Sequence, residues 1–176
     1  MRALILFLLF TSALFANGYS ELLIKAQSEI FPKLLLLDTK LDAKLVGGEV
    51  VYTIVYEDED AKTAEAVRQE ILARYGKGLG DYRLRVELLD VADMGAKIDA
   101  SAVYVLNVGE RIVDVVNAAI AGGAMTFSYD FKNLNNGVLL SMMIEKFTVL
   151  YLNVDSMKSY PVDFVDSIYQ IAAYKW

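Results

Sequence analysis

The stretch EVVYTIVY at residues 49–56 decides the fold. Its residues are mostly β-branched or aromatic and are apolar on both faces, as in a parallel strand that is covered on both sides. Four acidic residues, 57–60, follow directly, and apolar residues at helical spacing then run from Ala64 to Leu72 within the segment 61–75. A buried strand followed at once by an amphipathic helix predicts one β–α unit of a parallel sheet.

The segment before this unit predicts a further helix. Apolar residues recur at helical spacing over residues 19–30, and Pro32 limits how far that helix continues. Residues 33–46 fit two alternatives, a buried strand or continued helical turns, because periodicity does not separate them. Gly47 and Gly48 end the segment.

The segment after this unit continues the alternation of strand and helix. Patterns of apolar residues predict strands at 82–89, 101–106 and 124–129, and a helix at 110–121. Gly122 and Gly123 follow this helix as a C-terminal stop signal.

The last third of the chain changes character. Apolar segments at 138–144 and 147–152 flank Glu145-Lys146 and predict a hairpin, and a closing helix is expected over 163–174. The predicted fold is α/β, with a mostly parallel sheet, helices on both faces and a C-terminal antiparallel hairpin at the edge. No repeat or linker interrupts residues 19–176, so these residues are predicted to form a single domain.

The first residues have the composition of an export signal. Arg2 precedes an apolar run over 3–10, and small residues follow up to Gly18. We therefore expect residues 1–18 to be a signal peptide and the mature protein to be periplasmic. A cut after Ala16 is a second option, and a buried N-terminal helix of a cytosolic fold is the alternative.

Composition excludes several classes of function. The 176 residues include no cysteine and no histidine, which excludes thiol nucleophiles, disulfides, thiolate metal sites and imidazole catalysis. The 17 basic and 23 acidic residues give a net charge of −6, which argues against nucleic acid as a partner. We expect no enzymatic activity, no cofactor and no metal site. The acidic run at 57–60 could bind Ca²⁺, but it lacks the spacing of a calcium loop.

Polar residues follow three of the predicted strands. In an open parallel sheet, ligands bind beyond the carboxyl ends of the strands. This rule predicts a site for a small polar or cationic ligand, formed by Glu57, Asp58, Asn107, Ser128, Tyr129 and Asp130. The alternatives are a helix start for the acidic residues, a helix cap for Asn107, and a turn for the last three.

The C-terminal end carries two aromatic residues that are candidates for a partner interface. Tyr174 and Trp176 lie in the final YKW. Exposed aromatic side chains are favoured anchors for protein partners.

The chain resembles the YfiR-like family of exported proteins, most strongly from about Ala124 to the C-terminus. The resemblance is carried by TFSYD at 126–130, Gly137, the apolar VLLSMMIE at 138–145, and TVLYLN at 148–153. It implies a periplasmic α/β domain that represses a membrane-bound diguanylate cyclase by contacting its periplasmic sensing domain. The namesake responds to redox conditions through disulfides, and this chain, without cysteine, has no such response.

Two functions from different classes follow. The first is a non-catalytic regulator whose partner is the periplasmic domain of a membrane signalling protein. The second is a small periplasmic solute-binding protein that serves a transporter or sensor. A regulator should expose an apolar patch, whereas a solute-binding protein should have a pocket with converging polar groups. A homodimer is compatible with both functions.

Overall fold

A seven-stranded sheet forms the centre of residues 18–175. The structure is a computed structural model that describes residues 18–175. The predicted signal peptide, apart from Gly18, and the predicted interface residue Trp176 lie outside these residues. The strands are β1 (Val50–Tyr56), β2 (Leu84–Asp90), β3 (Ala102–Val105), β4 (Met125–Ser128), β5 (Leu140–Ile144), β6 (Thr148–Asn153) and β7 (Ala172–Lys175).

The strand order confirms the predicted fold class. The order is β2-β1-β3-β4-β5-β6-β7. The pairs from β2 through β5 are all parallel, and β5 and β6 form the predicted antiparallel hairpin. β7 then pairs in parallel with the outer side of β6. The sheet is therefore mostly parallel, with its antiparallel pair toward the C-terminal edge.

Helices cover both faces of the sheet. They are α1 (Glu21–Leu35), α2 (Ala61–Tyr75), α3 (Ile112–Gly122), α4 (Val154–Met157) and α5 (Ser167–Ile171). On one face, α1 and α2 bury Tyr52 of β1 and Tyr104 of β3, and Phe31 of α1 stacks on Phe127 of β4 with ring centroids 4.8 Å apart. On the other face, α3 packs on Val103 and neighbouring valines. No helix among residues 18–175 is both long and apolar enough to cross a membrane.

Helix α1 continues past Pro32, although a proline at this position is expected to limit the helix. Proline removes one helical hydrogen bond, but Pro32 itself and Phe31, Leu34 and Leu35 are all buried against the sheet. Burial of these side chains offsets the lost bond. The ambiguous segment 33–46 is not a strand: it contains the end of α1 and a 3₁₀ turn at Leu41–Lys44.

The prediction of a closing helix over 163–174 is wrong. Only Ser167–Ile171 is helical, because the residues on both sides make other backbone bonds. The amide of Thr39 donates to the carbonyl of Asp163 over 2.8 Å, which draws the chain before the helix toward the segment after α1. The residues after the helix pair with β6 as β7.

Candidate functional site

A cleft of about 240 Å³ lies at the carboxyl ends of β3 and β4. Residues 106–109 line it after β3, and Tyr129, Asp130 and Asn133 line it after β4. Gly18 and Tyr19, which precede α1, complete the wall. Neighbouring parallel strands thus supply the loops of the cleft, and the start of α1 covers one side.

Backbone hydrogen bonds hold the loops of the cleft side by side. The amide of Glu57 donates to the carbonyl of Asn107 over 3.2 Å, and the amide of Tyr129 donates to Val105 over 2.9 Å. These bonds continue the pairing of the strands at their carboxyl ends. The loops therefore start from fixed positions.

Two tyrosines form an aromatic corner beside the cleft. The rings of Tyr19 and Tyr129 meet edge-on, with centroids 4.7 Å apart and planes at 67°. The Tyr19 hydroxyl donates to Oδ2 of Asp60 over 2.7 Å, and the Tyr129 hydroxyl accepts from the amide of Ser20 over 2.8 Å. Burial, together with the hydrogen bond to Asp60, raises the pKa of Tyr19 well above its ordinary value. Both rings are consequently held in place through their hydroxyl groups.

The turn after β4 places Asp130 at the surface. Oδ1 of Asp130 accepts the amide of Lys132 over 2.8 Å, which caps the short helical turn at residues 131–136. Nδ2 of Asn133 donates to Oγ of Ser128 over 2.9 Å. Ser128 is fully buried, so it stabilises the turn by accepting this hydrogen bond and is not accessible to a ligand.

The six residues predicted for the site occupy different places. Asn107, Tyr129 and Asp130 line the cleft. Glu57 lies beside it, because its Oε1 would be 3.2 Å from a Cβ placed on Gly109. Asp58 is exposed in the 3₁₀ turn Asp58–Asp60 and does not line the cleft, and Ser128 is the buried support described above.

Six of the nine described residues that line the cleft are not predicted from the sequence, and Tyr19, Gly109 and Asn133 are the informative ones. The sequence places Tyr19 only at the start of a helix, because nothing in a linear pattern shows that it meets Tyr129. Asn133 lies in a segment to which no function was assigned. Gly109 has a φ of +49°, which favours glycine, and its amide donates to Oδ1 of Asn107 over 3.4 Å. This Asn-x-Gly turn before a helix was the one signal in the sequence that could have been used.

The charge at the cleft is negative. Asp130 is the charged side chain among the described lining residues, and Glu57 is adjacent. The nearby Arg111 side chain is directed elsewhere, since it donates to the carbonyl of Val91 and lies 3.9 Å from Asp114. Within residues 18–175, no three acidic side chains converge in a way that could hold a metal ion.

A second surface feature lies at the β7 edge of the sheet. Large apolar side chains are exposed there, with Phe147 79%, Ile171 57% and Tyr174 45% accessible. The hydroxyl of Tyr174 donates to the carbonyl of Tyr169. We call these residues, Phe147, Tyr169, Ile171 and Tyr174, the β7 patch.

Comparison with known proteins shows similarity in fold alone. Neither a protein-family model nor a curated protein sequence matches this chain. A conserved domain protein from Vibrio cholerae O1 biovar El Tor matches in structure with a TM-score of 0.58 and 10% identity, over 86% of this chain and 59% of that one. The ABC domain from Streptococcus pneumonia in complex with L-Trp matches with a TM-score of 0.51 and 11% identity, over 81% of this chain and 61% of that one. This chain therefore spans about three fifths of either structure.

Proposed function

We propose that this protein binds a small polar solute in the cleft at the carboxyl ends of β3 and β4. The observation that carries the proposal is the convergence of Asn107, Tyr129, Asp130 and Asn133 on one cleft. This is where open α/β sheets bind ligands. The similar fold of the ABC domain in complex with L-Trp is consistent with such a role.

The size of the cleft restricts the solute. At about 240 Å³ the cleft is smaller than the roughly 300–1,000 Å³ that is typical for drug-sized ligands. A ligand of the size of an amino acid fits this volume better than an oligosaccharide or a nucleotide. The side-chain amides of Asn107 and Asn133 offer both donors and acceptors, and Asp130 offers acceptors. These groups can orient a solute without any covalent step.

The proposed role includes export. With residues 1–18 removed as a signal peptide, the protein would meet its solute in the periplasm and present it to a transporter or sensor. Mass determination of the protein secreted by its native host tests this step, because cleavage after Gly18 removes a defined mass. An intact N-terminus on a cytosolic protein would contradict it.

Thermal denaturation with a library of amino acids and other small solutes, beginning with L-tryptophan, tests the proposed binding. A solute at 100 times its Kd should stabilise the folded protein by about 2.7 kcal/mol, which raises Tm by several degrees. Asn107→Ala should weaken this response. The matched control is Asn117→Ala, an exposed position on α3 that does not line the cleft. If no solute raises Tm, the proposal is wrong.

A second candidate function is protein binding at the β7 patch. At the opposite edge of the sheet, Arg85 of β2 forms ion pairs with Glu49 and Glu87, and such charges discourage pairing with another chain. β7, with the sequence AAYK, carries less charge, and large apolar side chains flank it. This contrast supports the role that the resemblance to the YfiR-like family implies, with the periplasmic domain of a membrane-bound diguanylate cyclase as the partner.

Titration with that purified periplasmic domain tests the second candidate. Phe147→Ser and Ile171→Ser should each weaken the complex at least tenfold, because exposed apolar anchors dominate such interfaces. Val113→Ser on α3 is the matched control, since Val113 is 47% exposed but lies away from the β7 patch. Light scattering of the protein alone separates a homodimer from this complex. Equal affinity for the wild type and the two patch variants would exclude the β7 patch as the interface.

A further inference from the structure

We infer that the solute bound in this cleft carries a protonated amine, held against the Tyr19–Tyr129 corner with Asp130 as its counter-ion. The inference rests on the proposed function and adds the chemical class of the ligand. Three features carry it: the charge of the cleft, the geometry of the two rings, and the hydrogen bonds of Asp130.

The charge at the cleft favours a cation. The carboxylates of Asp130 and Glu57 lie in and beside the cleft, and the described lining residues include no lysine or arginine. The amino end of α3 acts in the opposite direction, since a helix start carries about half a positive charge. The turn just before α3 holds both Glu110 and Arg111, whose charges offset each other, and the Arg111 side chain is directed to the carbonyl of Val91 and toward Asp114. The balance is negative and opposes an anionic solute.

The geometry of the two rings suits a cation. Tyrosine attracts a cation that lies over its ring face, within about 6 Å of the centroid. Ring planes at 67° form the two walls of a corner, so a cation in the corner can approach more than one aromatic surface. The hydroxyls of Tyr19 and Tyr129 are tied to Asp60 and Ser20, so the corner exists before a ligand enters. A preformed site loses less entropy on binding.

Asp130 can accept from an amine without losing its structural bond. Its Oδ1 caps the following turn by accepting the amide of Lys132. A carboxylate has two oxygens and several lone pairs, so an ammonium group can donate to Asp130 while the cap remains. An amine is therefore compatible with the turn as it stands.

The test compares three ligands that share an indole ring and differ in charge. Tryptamine is a cation, L-tryptophan is a zwitterion, and indolepropionate is an anion. Calorimetric titration of the wild-type protein should give at least tenfold tighter binding for tryptamine than for indolepropionate, with L-tryptophan between them. A second comparison uses ligands without an aromatic ring: choline, and the uncharged molecule in which a carbon replaces the nitrogen of choline. Choline should bind more tightly than this isostere.

Variants show which residues cause the preference for a cation. Asp130→Asn should reduce the ratio of the affinities for tryptamine and indolepropionate to less than threefold. Asp81→Asn removes the same charge near the amino end of β2, at the opposite end of the parallel strands from the cleft, and should leave the ratio of the two affinities unchanged. Tyr129→Leu should weaken the binding of choline more than the binding of its uncharged isostere, because only the cation is attracted to the electrons of the tyrosine ring.

The outcomes separate this inference from the proposed function. If indolepropionate, or another anionic or neutral solute, binds as tightly as the amines, and Asn107→Ala weakens it, the inference is wrong and the proposed function stands. If neither the amines nor the solute library binds, both are wrong. An unchanged ratio in Asp130→Asn would also overturn the inference.

Discussion

The phenol of Tyr104 donates a buried hydrogen bond of 2.6 Å to Oε1 of Gln27, and this bond joins the middle of the sheet to α1. Nε2 of Gln27 in turn donates to the carbonyls of Tyr129 and Met142, each over 3.3 Å. One side chain of α1 therefore connects β3, β5 and the residue that forms half of the aromatic corner. The wall of the cleft and the core of the sheet share one polar network.

Tyr104→Phe should lower the free energy of unfolding by about 1–3 kcal/mol, because Oε1 of Gln27 would lose its donor while remaining buried. Urea denaturation measures the change. The control is Tyr151→Phe, whose ring packs edge-on against Phe131 on the other face of the sheet, and it should change stability by less than about 0.5 kcal/mol. Equal effects of the two substitutions would show that the network is not stabilising.

A buried ion pair fixes the C-terminal segment. Nζ of Lys44 lies 2.6 Å from Oδ2 of Asp38 and 2.5 Å from the carbonyl of Pro161. Oδ1 of Asp38 also accepts the amides of Lys40 and Asp163. Lys44→Met should therefore lower the free energy of unfolding by about 3–5 kcal/mol, because it leaves a buried carboxylate without its counter-ion.

The double variant Lys44→Met/Asp38→Asn separates the buried charge from lost packing. Asparagine is neutral and its Oδ1 can still accept the two amides, so the double variant should recover more than half of the loss. Lys97→Met, which breaks an exposed ion pair with Asp99, is the control and should have little effect. If the double variant is as unstable as Lys44→Met alone, the unpaired charge is not the cause.

Most of the fold could be predicted because its signals are local. β1 is apolar on both faces and α2 has helical periodicity, so their order alone indicates a parallel sheet. The stop after α3 is also local: Gly123 has a φ of +79°, and its amide donates to carbonyls at the end of the helix. β7 could not be predicted, because AAYK becomes a strand only where β6 offers an unpaired edge.

The candidate site could be predicted only in part. The rule that ligands bind at the carboxyl ends of strands placed Asn107, Tyr129 and Asp130 together, since it depends on strand order alone. It says nothing of elements that come from elsewhere in the chain. Tyr19 reaches the cleft because α1 crosses the sheet, and this packing is decided by buried contacts such as Phe31 on Phe127.

Buried tyrosines should make the protein sensitive to alkali. Burial raises the pKa of Tyr52, Tyr104 and Tyr160 above the ordinary value of 10.0. Below pH 10 these phenols are protonated in both the folded and the unfolded chain, so their contribution to stability is constant. Above pH 10 the unfolded chain releases their protons first, and the free energy of unfolding must fall as pH rises.

Titration of tyrosinate absorbance, followed alongside circular dichroism, measures this effect. The protein has 11 tyrosines, and the exposed ones should ionise first. The buried ones should ionise only together with the loss of helical signal. If all of them titrate in one step near pH 10 while the circular dichroism stays constant, the buried phenols do not resist ionisation.

The end of α3 contacts the segment before β3 so closely that only glycine fits. A Cβ placed on Gly122 would lie 1.9 Å from the carbonyl oxygen of Ile98, and the amide of Ile98 donates to Ala118 of the same helix over 3.1 Å. Gly122→Ala should lower the free energy of unfolding by about 1–3 kcal/mol, because backbone must shift, although alanine favours the helix. Gly95→Ala is the matched control. Gly95 lies, like Ile98, in the segment between β2 and β3, and its Cβ would be 3.8 Å from the carbonyl oxygen of Lys97, which is an ordinary contact. Thermal denaturation of both variants measures the difference. Equal Tm values would show that the backbone around Ile98 can shift without lowering the stability of the protein.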